Sequence, residues 1–262
     1  VATNDVPVEI GTYLAIGDSF SEGLNDRAPG GGFAGWADRL AEHLDAARPD
    51  GAPPLRYGNT AVRGKLLGQI VRDQVPIAER FAPDLVTIAG GGNDILRPGA
   101  DPDALAELFE QGVRRMSRTS HVLLFTGFDT RNSPLLNLLR GKVAAYNMHL
   151  RAIADRNGCS VVDLWSMRAL HDRRAWSEDR LHLAPEGHRR VALRAAQVLG
   201  AKADGDPEEP WPAQRPKPAG VRRRENIDWA RTHLVPWIGR RLKGTSSGDT
   251  VLPKRPEMTP LR

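Results

Sequence analysis

Cysteine is almost absent from this chain. Cys159 is the only one in 262 residues, so an intrachain disulfide and a cysteine-rich metal centre are both excluded. It sits in the apolar run Cys159-Ser160-Val161-Val162-Asp163-Leu164, where a small buried hydrophobe is the expected role and a reactive thiol the alternative. Long apolar stretches are missing too. No window approaches the roughly 18 consecutive apolar residues of a membrane-spanning helix, and Val1-Ala2-Thr3-Asn4-Asp5 carries neither the basic nor the apolar segment of a secretory signal. On these residues the expectation is a cytoplasmic protein. Most of the chain has no excess of either charge. The net charge is +5, and residues 201–262, with 13 Lys/Arg against 8 Asp/Glu, carry all of it. A balanced body argues against polyanion binding there and confines any contact with nucleic acid or an anionic membrane to the tail.

Several binding signatures are also lacking. Gly30-Gly31-Gly32 is not followed by the Lys-Ser/Thr of a phosphate loop, and Gly90-Gly91-Gly92 lacks the third spaced glycine of a dinucleotide fingerprint. His182 and His188 are separated by a stretch containing Pro185 and Gly187, which does not suit a helical pair of zinc ligands, so no metal or cofactor is expected. No internal repeat is visible.

What the chain does have is alternation. Apolar runs at Thr12 to Ile16, Leu55 to Tyr57, Leu85 to Ala89, His121 to Thr126 and Cys159 to Leu164 are separated by helical patterns, which predicts a parallel sheet covered by helices on both faces. Trp36, Leu40 and Leu44 form one helical stripe, Leu66, Ile70 and Ile77 a second, and Leu105, Leu108, Val113 and Met116 a third. A longer helix is expected from about Pro134 to Asn157, closed by Gly158, and another from Pro185 with Val191, Ala195 and Val198 on one side. Beyond Gly200 the pattern changes. Pro207, Pro210, Pro212, Pro216 and Pro218 mark a linker, after which Ile227, Trp229, Leu234, Trp237 and Ile238 recur at helical spacing among basic residues over Arg222 to Leu242. The division is thus a domain over 1–200 and an extension over 201–262. Trp229 and Trp237 are costly to leave in water, so the extension is expected to dock on the body, near its pocket. Arg222-Arg223-Arg224 reads as a solvated helix face.

The chemistry begins at Ser19. The run Tyr13-Leu14-Ala15-Ile16-Gly17-Asp18-Ser19 ends a buried strand in a serine, at the carboxyl edge where open α/β sheets gather reactive residues. Gly-Asp-Ser is also an ordinary turn, so the other segments decide. Acyl transfer needs a nucleophile, an oriented base and donors aimed at an oxyanion. Gly64 follows the second strand, Asn93 the third, and Asp179-x-x-His182 lies beyond the fifth. Three-residue spacing lets Asp179 accept from His182 Nδ1–H while Nε2 faces the serine. The glycines before Asn93 permit a sharp turn that leaves its amide free to donate, while Asp94 reads as a helix cap and His188 as a packed or solvent-facing helix residue.

Gly17-Asp18-Ser19 with Gly23, Gly64, Gly92-x-Asp94 around Asn93, and Asp179-x-x-His182 together resemble, in order, the conserved blocks of the SGNH hydrolases, also called the GDSL esterase/lipase family. The resemblance covers about residues 10–200. It implies a three-layer α/β/α sandwich with a five-stranded parallel sheet, of flavodoxin-like type. It also implies Ser19 as nucleophile, His182 as base, Asp179 as its orienter, and an oxyanion hole of Ser19 N–H, Gly64 N–H and the Asn93 amide. Gly17-Asp18-Ser19-Phe20-Ser21 lacks the second glycine of a nucleophile elbow, which disfavours an ordinary α/β-hydrolase. The expected function is ester hydrolysis of a small-molecule substrate through an acyl-enzyme. Acyl transfer to an alcohol with the same residues is one alternative, and a binding protein acting through its basic tail is the other. The pocket-forming loop from Gly127 to Leu135 cannot be placed by pattern, so the ester is not identified.

Overall fold

The computed structural model describes residues 9–133, 136–215, 218–236 and 248–262. Five strands run parallel: β1 (Thr12–Gly17), β2 (Arg56–Asn59), β3 (Leu85–Ala89), β4 (His121–Phe125) and β5 (Ser160–Val162). A sixth, β6 (Arg255–Pro260), pairs antiparallel with β2, giving the order β5-β4-β3-β1-β2-β6. The five parallel strands agree with the expected sheet. The added edge strand is a correction, and its sequence explains why pattern misses it. Arg255-Pro256-Glu257-Met258-Thr259-Pro260 contains two prolines and buries only Met258, a composition tolerated only at a sheet edge.

The helices are α1 (Ser19–Glu22), α2 (Trp36–Ala46), α3 (Leu67–Gln69), α4 (Val75–Phe81), α5 (Gly92–Ile95), α6 (Pro102–Met116), α7 (Arg140–Asn157), α8 (Pro185–Val198) and α9 (Ala219–Trp229). A π-turn over Ile70–Gln74 joins α3 to α4. The central strands are mostly apolar because both sheet faces are covered. Tyr13, Ala15, Leu85 and Leu123 pack with Trp36 and Leu40 of α2 and with Val191 and Ala195 of α8. On the other face Leu14, Ile16, Val86 and Val122 meet Ile70, Val75, Phe109 of α6 and Leu150 of α7. This is the expected three-layer arrangement. The long helix is α7, preceded by a 3-10 turn over Leu136–Leu139 and closed by Gly158 in the left-handed region at φ 65°. Its expected start at Pro134 lies outside the described residues, as do Trp237 and Ile238. Among the described residues no helix is long and apolar enough to cross a membrane.

The extension is held to the body at several points. The Trp211 ring lies beneath the guanidinium groups of Arg190 and Arg174, at 4.3 and 4.8 Å, and its Nε1–H donates to Ala169 O at 2.9 Å. Trp211 thus anchors this part of the extension to the domain.

In the order β2-β1-β3-β4-β5 the connections reverse direction between β1 and β3, which opens a crevice at the carboxyl ends of those two strands. Gly17 pairs with Ala89 at that edge, so the segments carrying Ser19 and Asn93 leave the sheet side by side. Helix α8 reaches the same edge. Its His188 is 1% exposed, and Nδ1 accepts the Trp36 N–H at 3.2 Å, supplying the first turn of α2 with an acceptor that Gly35 at the N-cap does not.

Burial pushes the His188 imidazole down to about 3, so the folded protein keeps it neutral while the unfolded chain takes up a proton near pH 6.5. Its contribution is complete above that pH and is lost as pH falls through 6.5 towards 3. Denaturant titrations at pH 7.5 and 4.5 should show His188→Gln losing less stability on acidification than the wild type, whereas equal losses would contradict the assignment.

Candidate active site

Ser19 is the first residue of α1, immediately after β1. Gly17 permits this turn. It has φ 143°, and a Cβ there would lie 2.5 Å from Ala89 O, so any side chain would drive β1 from β3. Asp18 caps α1 by accepting the Phe20 N–H at 3.0 Å. A first-turn N–H has no acceptor within its own helix, which leaves that of Ser19 available to a bound group.

His182 comes from the far end of the chain, in the irregular segment between β5 and α8. Its Nε2 lies 3.0 Å from Ser19 Oγ and its Nδ1 2.7 Å from Asp179 Oδ2. Asp179 is held by more than the imidazole. Oδ1 accepts from Ser177 Oγ at 2.7 Å and from the Leu181 and His182 backbone N–H groups at 3.0 Å. Asn25 Nδ2 donates to Oδ2 at 2.9 Å. Burial alone would raise the Asp179 carboxyl, but the hydrogen bonds and charge of His182 outweigh it and hold the group well below the usual carboxylate range. A carboxylate fixed as an anion keeps Nδ1 protonated and Nε2 as the acceptor facing the hydroxyl.

Asn93 lies in α5, where Gly91 adopts φ 94° and packs so tightly on Tyr146 that a Cβ would sit 2.7 Å from its hydroxyl. Asn93 Nδ2 donates to Asp18 Oδ2 and to Lys65 O, each at 3.1 Å. Gly64, with φ 75°, stands one residue before Lys65 in the loop from β2 to α3. Every residue named from the motifs therefore reaches the same sheet edge, and Asn93 is bonded to neighbours of both Ser19 and Gly64. Asp18 is buried, which pushes its carboxyl up to about 6 despite the Phe20 N–H and the nearby His182. Asp94 does not cap its own helix. Its Oδ2 accepts the Leu67 N–H at the start of α3, at 3.0 Å.

Motif reading missed several supports. Asn25 and Ser177 hold Asp179, yet neither has a sequence signal beyond being a small polar residue in a loop. Asn25 occupies the left-handed region at φ 74°, which Asn tolerates better than most residues. Trp229 does dock on the body. Its Nε1–H donates to Asp179 O at 3.0 Å, and the Arg180 guanidinium lies 4.8 Å over its ring. That contact is with the Asp179 loop, and Trp229 is not among the residues lining the cavity beside Ser19.

This cavity has a volume of about 170 Å³, and Phe20, Leu96, Phe128, Val143, Tyr146 and Trp176 line it alongside Ser19, Asn93 and His182. Phe128 and Trp176 meet with ring centroids 4.3 Å apart. The loop that carries Phe128 is pinned by Asp129, whose carboxylate accepts from Arg140 Nε at 2.7 Å and from Arg131 Nε at 2.6 Å. The arrangement places a serine hydroxyl against an imidazole nitrogen, beside the Asn93 amide and a largely apolar cavity.

A family model described as the GDSL-like lipase/acylhydrolase family matches residues 15–190. Solved structures share the fold at low identity. LAE5, an alpha/beta hydrolase enzyme from the metagenome of Lake Arreo, Spain, is 22% identical over 72% of this chain and 95% of its own, with a TM-score of 0.60. Axe2, an acetylxylan esterase from Geobacillus stearothermophilus, is 20% identical over 74% of this chain and 96% of its own, with a TM-score of 0.59. TesA is 22% identical over 72% and 97% respectively, with a TM-score of 0.59. No match was found among curated proteins.

Asn25→Ala and Ser177→Ala should each remove one donor from the Asp179 carboxylate. Hydrogen bonds to a charged group contribute about 1.5–3 kcal/mol, so urea denaturation should show losses at the lower end of that range for these part-buried bonds. Wild-type stability in both variants would contradict the described network.

Proposed function

This chain belongs to the GDSL-like lipase/acylhydrolase family, and from that premise we propose that it is a serine ester hydrolase working through an acyl-enzyme. The observation that carries the reading is the continuous relay Ser19–His182–Asp179, with contacts of 3.0 and 2.7 Å. Ser19 Oγ attacks the ester carbonyl carbon as its proton passes to His182 Nε2, and Asp179 stabilises the resulting imidazolium. The carbonyl oxygen becomes an oxyanion facing Ser19 N–H, Gly64 N–H and Asn93 Nδ2. One of the two existing Asn93 hydrogen bonds, to Asp18 or to Lys65 O, must share its donor with that oxygen. Collapse breaks the bond to the alkoxy group, which takes the proton from His182 and departs as the alcohol. Water then adds to the acyl-Ser19 carbonyl, giving a proton to His182, and the second intermediate releases a carboxylic acid as the proton returns to Ser19 Oγ.

The cavity supports an apolar acyl group. A chamber of about 150 Å³ lined by apolar side chains holds benzene, and the chamber here, about 170 Å³, matches a linear chain of about six to eight carbons. The acyl part remains attached to Ser19 after the alcohol has left, and it gains most from a walled, apolar site beside the serine. An acetyl group would leave most of this volume unfilled.

Two measurements test the reading. Ser19→Ala should abolish turnover of p-nitrophenyl esters, and Asn93→Ala should lower kcat about 100- to 1,000-fold without unfolding the protein. Retained turnover in Ser19→Ala would overturn the mechanism. Across p-nitrophenyl esters from acetate to dodecanoate, kcat/KM should rise about fourfold per methylene, reach a maximum near six to eight carbons and then fall. A maximum at acetate would overturn the acyl assignment.

A further inference from the structure

The loop after β2 carries Arg63, which forms a largely buried ion pair with Glu22 of α1. The Glu22 side chain is only 5% exposed and that of Arg63 21%. Glu22 Oε2 accepts the Arg63 backbone N–H at 2.8 Å, Arg63 Nε reaches both carboxylate oxygens at 3.0 Å, and Arg63 Nη2 donates to Oε1. The Arg63 guanidinium also lies 5.0 Å over the Phe33 ring. A buried ion pair contributes little net stability once desolvation is counted, and its best-attested use is to fix one geometry.

The geometry fixed here lies between two candidate oxyanion donors. Glu22 closes the short helix that Ser19 opens, and Arg63 shares a peptide unit with Gly64. The carboxylate therefore spans from the segment that presents one N–H to the segment that presents the other. The remaining donor is bonded across the same gap, since Asn93 Nδ2 reaches Asp18 and Lys65 O, the outer neighbours of Ser19 and Gly64.

The C-terminal extension joins this brace. Because β6 is antiparallel to β2 and pairs Arg255 with Asn59, it starts at the carboxyl end of β2, where the Gly64 loop leaves the sheet. Lys254, just before it, donates from Nζ to Glu22 O at 2.7 Å, Phe33 O at 3.1 Å and Asp38 Oδ2 at 2.5 Å. All three ammonium protons are matched, and the ends of α1 and α2 are tied together. Gly248 packs directly on the same loop, where a Cβ would clash with Arg63 O, the carbonyl of the peptide whose N–H belongs to Gly64.

We propose that Glu22, Arg63 and Lys254 are positioning residues for the oxyanion hole, through which the C-terminal segment sets the distance between the Ser19 and Gly64 donors. The proposal rests on the esterase reading above and gives the extension a catalytic consequence. Donors of this kind act only when aimed at the oxygen of the transition state, so a loosened brace should lower kcat while substrate still binds in the apolar cavity with little change in KM.

The test compares Glu22→Gln, Lys254→Met and Glu79→Gln with wild type on p-nitrophenyl hexanoate, together with inhibition by a trifluoromethyl ketone of matching chain length. Addition of Ser19 to that ketone forms an oxyanion. Glu79 pairs with Arg115 away from the site and controls for loss of an ion pair as such. Glu22→Gln should lower kcat about 10- to 100-fold and Lys254→Met about 3- to 10-fold. KM should stay within twofold, and the ketone should weaken in proportion to kcat. Glu79→Gln should leave all three parameters unchanged. If Glu22→Gln does not fold, Lys254→Met alone decides by the same criteria. Wild-type kcat and ketone affinity in the variants, even with a lowered Tm, would overturn the proposal while leaving the esterase reading intact. Retained turnover in Ser19→Ala would instead overturn that reading.

Discussion

The approach of His182 Nε2 to Ser19 Oγ, 3.0 Å across a separation of 163 residues, is the contact on which the rest of the site depends. Neither residue can hold that distance by local structure. Ser19 is fixed because β1 lies at the centre of the sheet between β2 and β3. His182 is fixed because its segment is stitched to the body from several directions. Ser177 N–H donates to His182 O at 2.8 Å, the Trp176 indole donates to Leu170 O at 2.8 Å, and Leu183 is buried beneath it in the same cluster as Trp36. A reacting geometry tolerates displacements of about half an ångström, and only a packed interior with few voids resists motion on that scale.

The polar groups around this contact follow one rule. Each carboxylate near the site is surrounded by donors suited to its position. Asp179 must remain an anion beside His182, and its hydrogen bonds overcome the effect of burial. Asp18 receives fewer donors, and its burial wins. The difference matches their places, one facing the His182 imidazole and the other the neutral Asn93 amide. His188, nearby on α8, is kept uncharged by burial, so the cluster holds a single imidazole arranged to face the serine.

Much of this was legible in the sequence because it depends on short-range pattern. Strands buried on both faces read as unbroken apolar runs, which is why β1, β3 and β4 stand out, while β5, described over Ser160–Val162, is shorter than its run. Ser19, Gly64, Asn93, Asp179 and His182 are legible because each sits in a motif whose spacing carries chemistry, and all five lie at one edge of the sheet. The supports are a different matter. Asn25 and Ser177 act across more than 150 residues from one another, and no spacing links them. Glu22 and Arg63 meet over a separation of 41 residues, and Lys254 reaches Glu22 over 232. Such contacts exist only once the sheet has formed, and β6 hides behind its prolines. Trp229 was foreseeable as an anchor from the cost of exposing an indole, but its partners were not, and the Trp211 anchor had no sequence signal beyond its place in a proline-rich stretch.

The central claim is that Ser19 is made nucleophilic by His182 and forms a covalent bond to the acyl carbon. Intact-mass spectrometry after incubation with a p-nitrophenyl alkylphosphonate reads that bond directly, because attack on phosphorus releases nitrophenolate and leaves a stable adduct. One phosphonyl group per chain is expected, located at Ser19 by peptide mapping, with labelling greatly slowed in His182→Ala. Labelling at another residue, or an active protein that resists labelling altogether, would contradict it.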